Sequence, residues 1–99
     1  MKTLTFSEFF DLPPGVIFGQ DYALPHRDAG LWRKGESYPE DDDGWRGVMA
    51  VDILAPEGEG VYCVGEDAIE DDHRFLVYEP ADLGRLAGIV EDARKVAQP

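Results

Sequence analysis

The apolar positions of the chain fall into short runs with the spacing of β-strands. β-branched and aromatic residues alternate with polar ones at residues 16–22 and 45–54, which predicts two strands. Shorter apolar runs at residues 31–34, 61–64 and 73–78 indicate two or three more. The run at 73–78 has no polar face, which is typical of a central strand covered on both sides.

Helix signals lie at the two ends of the chain. Thr5 and Glu8 have the spacing of a capping box, and Pro13 ends the short helix that they begin. Pro80 begins a longer helix that we expect to run to about Val96. This helix carries an apolar stripe formed by Leu83, Leu86, Ala87, Val90, Ala93 and Ala97.

The order of these elements predicts the fold class. No repeated strand–helix–strand crossovers occur, so we expect a mostly antiparallel sheet. The sequence therefore predicts a single acidic α+β domain over residues 1–99. It has four to five strands, a short N-terminal helix and a longer C-terminal helix, with both helices packed on one face.

Negative charge is concentrated in the middle of the chain. The formal net charge is −12, and residues 36–82 hold fifteen of the twenty-one acidic residues but only two of the nine basic ones. The acids lie mainly between strands, at residues 40–43, 57–59 and 66–72. Such a charge disfavours direct binding of nucleic acid or an anionic membrane and favours a basic protein surface as partner.

No motif indicates a metal site, a cofactor or a reaction. The acidic run before Gly44 departs from a calcium-binding EF-hand loop, because Pro39 and Ala50 occupy two of its ligand positions. Potential zinc ligands occur without paired spacing: His26, Cys63 and His73. No serine lies in a Gly-x-Ser-x-Gly elbow, and clustered loop acids stay solvated rather than acquire separated pKa values. We expect no enzymatic activity.

The remaining composition points to a reducing cytoplasm. The single cysteine excludes an intramolecular disulfide, and the first residues lack the apolar core of a signal peptide. We interpret Cys63 and Trp45 as core residues, and Tyr38, beside the acidic run, as an exposed aromatic residue.

Three stretches resemble a family of small acidic proteins of bacteriophages and prophages: residues 4–18, 31–36 and 71–83. The first holds a Thr-Phe-x-x-Phe-x-x-Leu-Pro-x-Gly-x-x-Phe run, and the last a Phe-x-Val-Tyr-Glu strand before a helix. The family offers no enzymatic motif. Phage proteins of this size and charge are also similar to anti-CRISPR proteins, several of which bind the CRISPR surveillance complex where target DNA would bind.

Charge and resemblance together predict an inhibitory DNA mimic that occupies the basic groove of a CRISPR effector, with a type I surveillance complex as the expected partner. The predicted partner-binding residues are the loop acids and one tyrosine: Glu40, Asp41, Asp42, Asp43, Glu57, Glu59, Glu66, Asp67, Glu70, Asp71, Asp72 and Tyr38. Successive turns of an antiparallel sheet alternate between its ends, so we expect the first and third acidic segments to share one end.

Two alternative functions stay open at this point. One is an immunity-type inhibitor of a basic toxin or nuclease, which the same charge pattern would serve. The other is a phage accessory or structural protein whose acidity serves only solubility. The sequence allows a monomer or a homodimer.

Overall fold

A computed structural model describes residues 1–21, 30–39, 41–56, 58–69 and 72–97. In chain order its elements are β1 (Lys2–Leu4), α1 (Phe6–Phe10), β2 (Ile17–Asp21), β3 (Trp32–Tyr38), β4 (Gly47–Asp52), β5 (Val61–Gly65), a 3₁₀ turn (Glu66–Ala68), β6 (Arg74–Val77) and α2 (Pro80–Ala97).

The strands form one six-stranded antiparallel sheet in the order β1-β6-β2-β3-β4-β5. This confirms the α+β class and the central position of β6, but the expected four to five strands are too few. Strand β1 is not predicted, because it is too short to show alternation; pairing of Leu4 with Phe75 holds it in the sheet. The strand predicted at residues 31–34 ends short of β3, because an irregularity in register between Lys34 and Ser37 interrupts the two-residue period.

Helix α1 begins with the predicted capping box. The Thr5 side chain accepts the Glu8 N–H, and the Glu8 carboxylate accepts the Thr5 N–H at 3.0 Å. The helix that this cap begins packs on one face of the sheet, and its residue Phe9 is only 1% exposed there. The Phe9 ring is stacked on Phe75 at a centroid distance of 4.3 Å and lies 4.6 Å from Phe18. We call the sheet face covered by α1 the core face.

The more apolar side of β4 is not the side that forms the core. Val48 and Ala50, on the core face, are fully buried. Trp45, expected in the core, is half-buried over Gly47 on the opposite face, where a Cβ at Gly47 would lie 2.4 Å from the indole ring. Cys63, also expected to be buried, is exposed. Both corrections follow from which face α1 covers, a choice that the alternation in β4 does not reveal.

Helix α2 does not pack its apolar stripe onto the sheet, so the expectation that both helices share one face is wrong. Within Pro80–Ala97, only Asp82 is buried and Leu86 half-buried. The helix is held at its start by the Asp82 carboxylate. This carboxylate accepts hydrogen bonds from the Glu79 N–H at 2.9 Å and from the Arg85 guanidinium at 2.9 Å, and it forms an ion pair with the Met1 amine at 2.8 Å. The molecule is accordingly elongated, with a longest extent of 54 Å.

Substitutions in the second half of α2 are expected to have little effect on stability. Val90 and Val96 are 51% and 87% exposed, so Val90→Ala and Val96→Ala remove few contacts and should change the free energy of unfolding by less than about 0.5 kcal/mol. Urea denaturation of each variant measures this. A loss above about 1.5 kcal/mol would show that the stripe is buried in solution.

Candidate partner-binding surface

Two of the predicted acidic segments meet at one end of the sheet. Tyr38, the last residue of β3, pairs with Gly47 at the start of β4, and Gly47 pairs with Gly65 at the end of β5. The residues before β4 and after β5 therefore lie side by side. We call the following carboxylates the acidic end: Asp41, Asp42, Asp43, Glu66 and Asp67.

Asp41 organises its own loop. Its Oδ1 accepts the backbone N–H of Asp43 at 2.9 Å and of Trp45 at 3.0 Å. The Gly44 N–H donates to the Asp41 carbonyl at 3.0 Å, and Gly44 has a φ of +79° that favours glycine. Because these bonds hold the turn, the side chains of Asp42 and Asp43 are presented to solvent from an ordered loop.

Asp67 ties the two segments together. Its Oδ1 accepts a hydrogen bond from the indole Nε1 of Trp45 at 3.2 Å, while the Asp67 residue remains exposed. The indole thus lies between the loop that starts at Asp41 and the turn that follows β5. Tyr38, which is 44% exposed, lies at the same end of the sheet, and its predicted exposure is confirmed.

Glu66 is not an open carboxylate. The Arg46 guanidinium donates to both of its oxygens, with an Nε–Oε1 distance of 3.2 Å. Arg46 also lies over the rings of Phe10 and Phe6, with its Cζ 5.0 Å and 5.6 Å from their centroids. The hydrogen bond from Arg46 lowers the pKa of Glu66. The sequence analysis did not assign a role to Arg46, although it is one of only two bases in residues 36–82.

The Arg46–Glu66 pair predicts an acid-sensitive contribution to stability. A carboxyl whose pKa is lowered on folding contributes above its unfolded pKa, near 4.3 for glutamate, and loses that contribution as pH falls through the folded value. Glu66→Gln should therefore be less stable than the parent at pH 7 and closer to it at about pH 3. Urea denaturation at both values measures this, with Glu59→Gln as a control outside the pair. If the difference in the free energy of unfolding between Glu66→Gln and the parent is the same at both pH values, the Arg46–Glu66 pair does not make this contribution.

The third acidic segment does not stay at one end, which corrects part of the expected placement. Strand β6 runs in the same direction as β5, because three strands with alternating directions separate them. The end of β5 and the start of β6 therefore lie at opposite ends of the sheet, and Ile69, four residues after Gly65, packs on the core. Glu66 and Asp67 lie at the acidic end, whereas Asp72 precedes β6 at the opposite end.

The turn between β4 and β5 is at that opposite end, as expected, and Glu59 is exposed there. Four of the predicted partner-binding residues lie outside the described residues: Glu40, Glu57, Glu70 and Asp71. The described part of the predicted site therefore divides into the acidic end with Tyr38, and two single acids at the opposite end of the sheet, Glu59 before β5 and Asp72 before β6, which three strands separate.

Within the described ranges, no three His, Cys, Asp or Glu side chains converge to form a metal site. His26 lies outside these ranges. His73 is buried, and its ring is stacked on Phe75 at 4.8 Å beside a cleft of about 290 Å³ that Gln20, Trp32 and Tyr62 also line. The absence of enzymatic activity stays a prediction.

No protein-family model, curated protein or solved structure matches the chain. In the part of the chain that the structure describes, no helix has the length and apolar character needed to cross a membrane. The resemblance to phage proteins stays a prediction. Chemically, the acidic end presents the exposed carboxylates of Asp42, Asp43 and Asp67 on hydrogen-bonded loops, which are suited to pairing with lysine and arginine side chains.

Proposed function

We propose that the protein is an anti-CRISPR-type inhibitor of phage origin that acts in the cytoplasm of a bacterial host. It binds the basic nucleic-acid-binding surface of a CRISPR effector complex, of which a type I surveillance complex is the first to test, and blocks target DNA. The observation that supports this is the meeting of two acidic segments at one end of the sheet, joined by the Trp45–Asp67 hydrogen bond.

The geometry of the acidic end suits an imitation of a phosphate array. Asp42 and Asp43 present open carboxylates, and Asp67 is exposed although its Oδ1 accepts the Trp45 indole N–H, whereas Asp41 bonds to its own loop and Glu66 to Arg46. A loop that is already ordered loses less conformational entropy on binding than a flexible acidic tail would. Opposite charge would also speed association with a basic groove.

Tyr38 supplies a second kind of contact at this end. An aromatic residue that is 44% exposed buries a large rigid area at low entropic cost, and aromatic residues are enriched among binding hot spots. In the proposed complex Tyr38 packs against the partner surface while the carboxylates pair with its bases.

Competition with target DNA tests this function. A purified type I surveillance complex is loaded with fluorescent target DNA and titrated with the protein at about 50 mM and about 300 mM salt. We expect displacement of DNA at low salt and weaker displacement at high salt, because screening weakens exposed charge pairs. DNA that stays bound at saturating protein and low salt would contradict the assignment to this complex.

The exposed apolar stripe of α2 favours one alternative, an accessory or structural protein that acts as a homodimer. Ile89 and Val90 are 59% and 51% exposed, and apolar contacts between helices resist salt. Sedimentation velocity at the same two salt concentrations separates the alternatives. A salt-resistant dimer without DNA displacement would favour the accessory role. Inhibition of a basic nuclease, measured in the same series, would favour the immunity-type role instead.

A further inference from the structure

Strand β5 forms one edge of the sheet, and its hydrogen-bonding direction can be read from its pairing with β4. The Asp52 N–H donates to the Gly60 carbonyl at 2.8 Å, and the Glu66 N–H donates to the Arg46 carbonyl at 2.9 Å. In an antiparallel pair of strands, residue pairs that exchange backbone hydrogen bonds alternate with pairs that do not. The backbone groups of Tyr62 and Val64 therefore also point towards β4. The backbone N–H and C=O groups of Val61 and Cys63 therefore point away from the sheet.

Two of the devices that commonly prevent strand pairing, charged side chains and proline, are absent from the described residues of this edge strand. No charged residue or proline occurs within Val61–Gly65, and among the described residues no strand pairs with its outer side. Val61 and Tyr62 are 53% and 55% exposed, and Cys63 is exposed between them and Val64. An exposed apolar edge strand is a template for pairing with another chain.

The apolar surface continues beyond the strand. Ile53 and Leu54, in the turn that leads from β4 to β5, are 41% and 73% exposed. A strand added along β5 would therefore find apolar contacts at the start of β5 as well as the backbone groups of its edge. Such addition uses main-chain bonds for affinity and side-chain contacts for specificity.

Charge at the ends of β5 indicates what kind of strand fits. Glu59 precedes the strand by two residues and Asp67 follows it by two, and both are exposed. A complementary segment has an apolar centre with lysine or arginine at each end. A second copy fits badly, because antiparallel overlap of two β5 strands about Cys63 brings the end that Glu59 precedes in one copy beside the end that Asp67 follows in the other, and the acids repel.

We propose that the outer edge of β5 is a docking site for an extended basic segment of a partner protein, which adds to the sheet as a further strand. This inference goes beyond the proposed function, because it requires neither a CRISPR complex nor the carboxylates of Asp42 and Asp43. The partner segment alternates β-branched residues between basic ends, and it binds through the backbone groups of Val61 and Cys63.

Two synthetic peptides test the docking site. The probe is fluorescently labelled Lys-Lys-Val-Thr-Val-Thr-Val-Lys-Lys, and its matched control carries N-methyl groups on all central residues. The control keeps the charge and the side chains but cannot donate backbone hydrogen bonds. Fluorescence anisotropy should show binding of the probe and at least about tenfold weaker binding of the control. Equal affinity would overturn the proposal, because charge alone would then account for binding.

Variants of the protein provide the second arm. Cys63→Pro removes an outward N–H without removing a bond to β4, whereas Cys63→Val keeps that N–H. We expect about tenfold weaker probe binding for Cys63→Pro and unchanged binding for Cys63→Val. Circular dichroism checks the fold of each variant. If Cys63→Pro fails to fold, the comparison of the two peptides decides.

Two further outcomes distinguish this docking site from the acidic end and from a dimer interface. Asp42→Asn combined with Asp43→Asn should leave probe binding unchanged, even if the same change abolishes displacement of DNA. A dimer of the parent that Cys63→Pro dissociates, seen by sedimentation, would identify a second copy as the occupant and would overturn the proposal.

Discussion

Phe9→Ala is expected to lower the free energy of unfolding by about 3–5 kcal/mol. Phe9 is the residue through which α1 enters the core face, and its ring contacts those of Phe18 and Phe75 on two adjacent strands. Removing the ring leaves a cavity that the rigid strands cannot close, and the stacking with Phe75 is lost as well.

Urea denaturation of the purified variant measures this effect. Tyr38→Ala is a suitable control, because it removes another aromatic ring from a residue that is 44% exposed and should cost less than about 1 kcal/mol. If Phe9→Ala costs no more than Tyr38→Ala, α1 does not hold the core together in the way that the structure shows.

Lys34→Ala should be the next most damaging change, at about 2–5 kcal/mol, whereas Lys34→Met should cost less than about 1.5 kcal/mol. Lys34 is 1% exposed, and its Nζ donates to the Ser37 hydroxyl at 2.8 Å and to the Gly35 carbonyl at 3.2 Å. Its Nζ also lies over the Phe9 ring, 5.8 Å from the centroid, so the side chain occupies space beside Phe9. Methionine keeps that volume and removes a charge whose burial is costly.

The same residue predicts a rise of stability with pH in the alkaline range. Burial lowers the pKa of Lys34, and Glu36 opposes this only in part. Between the lowered folded value and the unfolded value near 10.4, the unfolded chain binds more protons, so the free energy of unfolding increases with pH. Thermal unfolding at several alkaline pH values should show this slope in the parent and a smaller slope in Lys34→Met. Equal slopes would contradict a buried, charged Lys34.

Local signals in the sequence were sufficient for the elements that depend on near neighbours. The capping box of Thr5 and Glu8 and the alternation of β4 depend on residues within a few positions of each other, so their patterns are visible in the chain. The central position of β6 followed from its lack of a polar face. The rule that successive turns alternate between the ends of an antiparallel sheet predicts that the first and third acidic segments share one end. This is correct for Glu66 and Asp67 in the third segment.

The features that the sequence did not reveal depend on long-range pairing. Strand β6 lies between β1 and β2 and runs in the same direction as β5, so Asp72, which precedes β6, lies at the opposite end of the sheet from Asp67. The irregularity after Lys34 changes the alternation of β3, which hides a buried lysine in a polar-looking stretch. The neutralisation of Glu66 by Arg46 joins residues twenty positions apart, and nothing local to either residue indicates it.

A comparison of two charge-matched variants tests whether the acidic end is the surface that binds the surveillance complex. Asp42→Asn with Asp43→Asn removes two charges from the acidic end, and Glu91→Gln with Asp92→Asn removes two from the exposed surface of α2. Both variants have the same net charge, and both are measured in the displacement of target DNA from the surveillance complex. We expect the first variant to require at least about tenfold more protein for half-displacement and the second to behave as the parent. Equal behaviour of the two variants would contradict a specific role for the acidic end.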